Sequence, residues 1–381
     1  MKKLIILSFA LLFATSMALA QNNDATVNQS GNGNNATVDQ QGNNHESVIT
    51  QDTWGAGHTA VVNQNSGSDN YSNIQQGQRG AEAYVDQVGS SNESRLKQSG
   101  PNLADIDQEG DGNILGQYGA LGSNAFQKNG TSFASDMNWL DLDQTGDNNT
   151  AGLWQEHHAD ADITQAGNDN VAAVRQTGTA VGALNEASIT QNGDMNTADI
   201  NQEGEGNNAT VHQGDAAYFS SNNTADIDQY GNGNAASFSL QDGDGNNVTA
   251  TQDGNNNYSE FSVEYGSNNI ITTDVNGDNN RTKVAVDHDD PNWNSQSSGN
   301  TLTIDKDGNT NYVAGYVKGD DNTITITQDG SNNRVGSDWY TGDGFNITGN
   351  SNTVSISQMS DGNTSRNTVS GNNNTVTVTQ N

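Results

Sequence analysis

Asn34-Asn35-Ala36-Thr37-Val38-Asp39-Gln40 decides the fold of this chain, because it recurs. Residues 92–98 read NESRLKQ, 102–108 NLADIDQ, 196–202 NTADINQ, 207–213 NNATVHQ, 223–229 NTADIDQ, 322–328 NTITITQ and 374–380 NTVTVTQ. The prevailing form is N-x-[AS]-x-[VIL]-x-Q, and short runs of Gly, Asn, Asp and Ser separate the copies. The step between terminal glutamines is most often eleven residues, as from Gln191 to Gln202 to Gln213. A fixed period of this kind marks a repeat architecture. Within a copy the period is two, which belongs to a β-strand, where alternate side chains point to opposite faces.

Asn34, Ala36, Val38 and Gln40 therefore share one face, while Asn35, Thr37 and Asp39 share the other. The amide-and-aliphatic face is expected to point inward, since burying the alternate aspartates without partners is prohibitive. Gly and Asn between strands tolerate the positive φ that tight turns need. The expected fold is all-β: a β-solenoid in which two copies make one strand–turn–strand–turn rung. About thirty half-repeats give about fifteen rungs, a rod on the order of 70 Å long at ~4.8 Å per level. Stacked rungs cover one another's small apolar pairs.

Buried amides need partners, and recurrence at one rung position supplies them as Asn/Gln ladders along the stack. The ladder is expected at Asn34, Gln40, Asn92, Gln98, Asn102, Gln108, Asn196, Gln202, Asn207, Gln213, Asn223, Gln229, Asn322, Gln328, Asn374 and Gln380. Asp199 and Thr210, on the other face, are expected to be solvent sites.

With Asn opening each copy, Gln six residues on and a Gly/Asn turn between copies, the chain resembles the curlin-repeat family of curli-type fibre subunits, at unusual length. The likeness runs from Gln21 to about Gln252 and is strongest from Gln191 to Gln229. It implies inward roles for the asparagines and glutamines above. It further implies export through an outer-membrane pore, a nucleator subunit, and self-assembly into an extracellular amyloid that serves biofilm and adhesion at a bacterial surface. Beyond Asn256 the pattern loosens: Val263, Val275, Val286 and Lys306 stand where Gln is expected. Residues 21–255 thus read as regular solenoid and 256–381 as a degenerate continuation with a Thr-rich outer face.

Residues 1–20 differ from the rest. Lys2 and Lys3, the apolar run from Leu4 to Phe13, and Ala18-Leu19-Ala20 lay out a signal peptide removed on export. The remainder is polar, with 30% hydrophobic residues and no cysteine, so neither a large core nor disulfides order it. Its net charge of −33 becomes −35 once Lys2 and Lys3 are lost. That balance argues against nucleic acid and against anionic membranes, which attract Lys and Arg, and no second apolar stretch suits membrane insertion.

Catalytic and cofactor chemistry is not expected. His45, His58, His157, His158, His212 and His288 form no zinc pattern, and His45 and His58 take the Asn position of the repeat. The stretch Asp242-Gly243-Asp244-Gly245-Asn246 with Asp253 is similar to a calcium loop, but Asn247 replaces the turn glycine. Trp54, Trp139, Trp154, Trp293 and Trp339 fall in turns or outward sites. Rows such as Thr301/Thr303 and Thr323/Thr325/Thr327 lie one rung apart. They support an alternative, an ice-binding or monomeric adhesive solenoid, although Thr also suits any exposed strand position.

Overall fold

Each motif copy forms one strand, and the turn residues between copies carry the chain from one sheet to the other. In the computed structural model this builds a parallel β-solenoid of about 14 turns, with no helix among the described residues. The structure describes residues 22–381 apart from 53–56, 79, 121, 130–136, 180–181, 215–219, 287–296 and 337–343. Residues 1–20, Trp54, Trp293, Trp339 and His288 lie outside the described residues.

Sheet I runs from Asp24–Gln29 to Thr375–Gln380, and sheet II from Asn35–Asn43 to the paired pieces Thr364–Ser365 and Asn367–Ser370. Neighbouring strands keep the motif in register: Ala198 opposes Ala225, Ile200 opposes Ile227 and Gln202 opposes Gln229. Pairing continues across residue 255, since Asn247–Asp253 pairs with Ile270–Asn276 and that strand with Thr301–Asp307.

At some levels one sheet carries two short strands in place of one, so strands number more than two per level. Ile114–Gln117 and Ala125–Lys128 together oppose the single strand Glu93–Ser99. Arg334–Val335 and Phe345–Thr348 together oppose Tyr312–Lys318. The inserted residues interrupt mid-strand rather than lengthening a turn.

Turns stack as closely as strands do. Gly231 has φ 105°, and a Cβ there would lie 2.1 Å from the carbonyl oxygen of Gly254 in the next turn. Only glycine satisfies both the backbone conformation and that approach.

The core is two columns deep. Up to Ala236 the third motif position is mostly Ala or Ser and the fifth mostly Ile, Val or Leu; from Val248 onward larger aliphatics such as Ile271, Leu302, Ile324 and Val354 take the third position, and the inward side chains of the interior levels are buried. Three phenylalanines depart from the Ala-against-Val core read from the repeat. Phe238 and Phe261 pack edge to face at 5.5 Å, at levels where sheet I carries Ala250 and Thr273. The Phe345 ring fills the space that a side chain at Gly315 would need. Large residues are matched by small ones, as native packing density requires.

Candidate functional site: amide ladders and open rung ends

The glutamine of each copy ends its strand with the side chain inside the corner between the sheets. In sheet I, Nε2 of Gln176 donates to Oε1 of Gln202 at 2.9 Å, and Gln202 to Gln229 at 2.9 Å. The chain of such bonds runs unbroken from Gln29 to Gln252 and passes through Gln98. In sheet II it runs from Gln40 through Gln108 to Gln213. It resumes in sheet I from Gln328 to Gln358 to Gln380. From Gln40 onward the Nε2 groups of the ladder also reach across the corner: Gln202 donates to the carbonyl of Glu186 at 2.9 Å and Gln213 to that of Thr197 at 3.0 Å. The glutamines therefore tie successive levels and also tie the two sheets together.

The asparagines act differently. Oδ1 of Asn92 accepts the backbone N–H of Asn113 at 2.9 Å, and its Nδ2 donates to the carbonyl of Gly110 at 2.8 Å. Asn207 repeats this with Asn234 and Gly231. Amide-to-amide contacts occur along part of the column, as Asn223 to Asn196, Asn322 to Asn300 and Asn374 to Asn352. The shorter side chain keeps asparagine at the turn, where it joins each turn to the next. Asn102 bonds to the carbonyl of Gln127 and the N–H of Asn138. His45 and His58 stand in this column, fully buried, each accepting a backbone N–H at Nδ1 as an asparagine oxygen would. Asn34, Gln40, Asn374 and Gln380, near the rod ends, are only half-buried.

The second sheet changes chemistry at Leu240. From there the glutamine column reads Leu240, Val263, Val286, Val317, Ile347 and Val369. In sheet I, Val275 and Lys306 interrupt it. Lys306 is fully buried, and its Nζ donates to Oγ1 of buried Thr282 across the core. Burial holds its pKa well below the ordinary lysine value. The adjacent Gln328 Oε1 has no hydrogen-bond partner.

Outward, sheet II carries in-register aspartates: Asp105, Asp141 and Asp162 follow one another, as do Asp86, Asp107 and Asp143. Burial and neighbouring carboxylates raise the pKa of Asp107, Asp141 and Asp162. Asp199 corrects the expectation of a solvent site. Tyr118, from the mid-strand insertion, folds over sheet I and donates its hydroxyl to the Asp199 carboxylate at 3.1 Å. The Asp199 pKa is pushed up to about 6, chiefly by burial and also by Asp226 and Asp228, against the lowering effect of the Tyr118 bond. Trp139 is outward and 53% exposed, whereas Trp154 stacks on Phe126 at 4.6 Å. No group of three or more His, Cys, Asp or Glu among the described residues is arranged to hold a metal ion.

Sheet I ends in a hydroxyl grid. Thr301, Thr323, Thr353 and Thr375 align, as do Thr303, Thr325, Ser355 and Thr377. At the rod ends, strands Asp24–Gln29 and Thr375–Gln380 each have a neighbour on one side only among the described residues.

A repeating parallel solenoid, tied together by amide ladders, defines this molecule as a structural repeat protein. The curlin-associated repeat matches it at residues 20–52, 182–214, 221–254 and 298–330, and the chain is a curlin-repeat protein. That family is structural and typically extracellular or surface-associated. No curated protein matches the chain.

Proposed function

We propose that the chain is the subunit of a secreted, amyloid-type fibre that grows by stacking rung on rung at a bacterial surface and serves biofilm cohesion and adhesion. The observation that carries this is the match between the two ends of sheet I. The inward residues of the first strand are Ala25, Val27 and Gln29, and those of the last are Val376, Val378 and Gln380. A following copy would meet Gln380 with Gln29, like any internal level. Unpaired strand edges of this kind invite addition. The ends of sheet II match less well, because Gln40 would meet Val369. A nucleator subunit and an outer-membrane pore are the partners this role calls for.

The test is fibre formation by the chain from Gln21 onward. Expected are dye-positive fibres with a meridional spacing near ~4.7 Å. A chain that stays monomeric at high concentration for weeks sinks the fibre reading. That outcome would favour the second reading, an ice-binding or adhesive solenoid, which the hydroxyl grid supports. Thermal hysteresis lost on Thr325→Tyr would establish it.

A further inference from the structure

Charge on the outer face of sheet II is segregated by level. Consider motif positions two, four and six, which point outward. From Glu82–Val88 to Asn185–Asn192 these positions hold nine carboxylates and no basic side chain. The next two strands, Asn208–Gln213 and Ala235–Leu240, hold no carboxylate, lysine or arginine there. From Tyr258–Val263 to the end of the sheet, four basic side chains (Arg281, Lys283, Arg334 and Arg366) accompany one carboxylate, Glu260. We propose that two copies of the chain pair face to face through sheet II with their rods antiparallel, the acidic half of each lying on the basic half of the other.

The geometry follows from the level order. A two-fold axis in the interface, parallel to the strands and between Asn208–Gln213 and Ala235–Leu240, reverses the rod but keeps strand direction. Level by level outward, Ala159–Ala166 then faces Arg281–Val286, and Trp139–Thr145 faces Tyr312–Lys318. Motif positions also coincide. Asp160 meets Arg281, Asp162 meets Lys283, and exposed Trp139 meets Tyr312. On the outermost paired levels, Tyr84 meets Arg366. Beside the axis itself stand His212 and small or uncharged-amide side chains such as Asn208, Thr210 and Ser237. Such a contact is isologous, so every pair forms twice and the assembly closes. Parallel rods would instead place carboxylate columns on carboxylate columns.

Two further observations support the arrangement. A depression of about 510 Å³ opens on the acidic half, lined by Trp139, Asp141, Asp160, Asp162 and Glu186 among others. Burial and mutual repulsion raise the pKa of Asp160, and basic partners relieve that repulsion. The overlapping face, at ~4.8 Å per level and ~3.3 Å per residue, is on the order of 1,000 Å² per copy, which reaches the range of specific interfaces. Charges elsewhere on the strongly acidic rods are screened beyond a Debye length of about 8 Å at physiological salt.

The pairing uses the long face and not the rung ends, so it does not rest on fibre growth. Sedimentation of the chain from Gln21 onward should show a dimer near physiological salt and a monomer at about 1 M, where screening reaches ~3 Å. One variant, Asp160→Arg with Asp162→Lys, sets base against base at the contacts with Arg281 and Lys283; a second, Arg281→Asp with Lys283→Asp, sets acid against acid at the same contacts. Each alone should be at least tenfold weaker in self-association with unchanged circular dichroism, and an equal mixture should restore the dimer. A wild-type monomer at every salt concentration overturns the proposal, as does a mixture no more associated than its parts. In electron micrographs, single unpaired filaments would count against the pairing alone, and dimers without filaments against the fibre reading alone.

Discussion

From Asp24 to about Gln229 the solenoid closes both corners with glutamine; from Leu240 onward one corner is aliphatic and the other is interrupted at Val275 and Lys306. The backbone does not register the change, because strands on either side of it pair in the same parallel fashion. The corner column therefore tolerates either chemistry, provided each level matches its neighbours. A glutamine needs a glutamine above and below; a valine needs valine-like neighbours. What is expensive is the boundary. At one boundary Gln252 turns its Nε2 to Ser259 Oγ at 3.0 Å, and at another Gln328 Oε1 stays unpaired beside the Lys306 level.

Reciprocal exchange between the two regions should give the largest effects. Gln202→Leu takes the acceptor from Gln176, leaves Gln229 Oε1 without its donor, and removes the cross-corner bond to the Glu186 carbonyl. At about 1–3 kcal/mol for each buried group left unmade, the loss should be about 3 kcal/mol or more. Val263→Gln should also destabilise, by at least about 2 kcal/mol, because Leu240 and Val286 offer the new amide nothing. Denaturant melts of soluble chain would measure both. If Gln202→Leu is tolerated, the ladder is not what holds the N-terminal region.

Lys306 offers the opposite sign. Lys306→Gln places an amide next to the unpaired Gln328 Oε1 and removes a buried amine, so it should stabilise by about 1–3 kcal/mol. The wild type should show a pH trend that the variant lacks. Burial lowers the folded pKa of Lys306 below its ordinary 10.5, so the unfolded chain binds more protons in that window. Stability should then rise as pH climbs from the folded value toward 10.5. A variant less stable than wild type would mean that the Lys306–Thr282 bond outweighs the cost of burying the amine.

The repeat, its in/out sense and the amide columns were legible because register is written in side-chain chemistry at every copy: Gln202 and Gln213 could be matched without any contact information. Other features were not legible. The asparagine column depends on the reach of a short side chain toward Gly110 or Gly231 one turn on, which no local pattern encodes. The split levels at Gln117 and Gln127 are another such feature, since an insertion in mid-strand and a long turn read alike in sequence. Phe345 is intelligible only beside Gly315, thirty positions away in the chain. The cover of Tyr118 over Asp199 joins residues 81 apart. Lys306 was visible as a lost glutamine, but its burial follows from the register of levels that the sequence places far apart.

Asp199 tests whether the outer face of the regular region is as indifferent as its alternation suggests. Its folded pKa of about 6 lies above its ordinary 3.8, so between those values the folded chain holds the extra proton. Stability should fall as pH rises from about 4 to about 6 and then level off. Asp199→Asn keeps an acceptor for the Tyr118 hydroxyl and should flatten that part of the profile, with higher stability than wild type at neutral pH. The raised aspartates of sheet II act in the same direction, so the whole chain should be more stable, and assemble faster, on mild acidification. A profile unchanged by Asp199→Asn would mean that the Tyr118 cover opens in solution.

The smallest effect should fall on the hydroxyl grid of the C-terminal region. Thr325 is exposed, lies between Thr303 and Ser355 in register, and projects away from the core. Its contribution to the fold is strand propensity and contact with those two neighbours, so Thr325→Ala should change stability by no more than about 0.5 kcal/mol. Inward Thr282 at a comparable level gives the contrast, since it accepts the Lys306 amine inside the core, and Thr282→Val should leave that amine unpartnered. Melts of the two variants separate an outer face shaped by what it meets from an inner face shaped by the fold. If Thr325→Ala destabilises as much as Thr282→Val, the hydroxyl rows help hold the C-terminal levels together. The looser amide ladder there would then be compensated from outside the core.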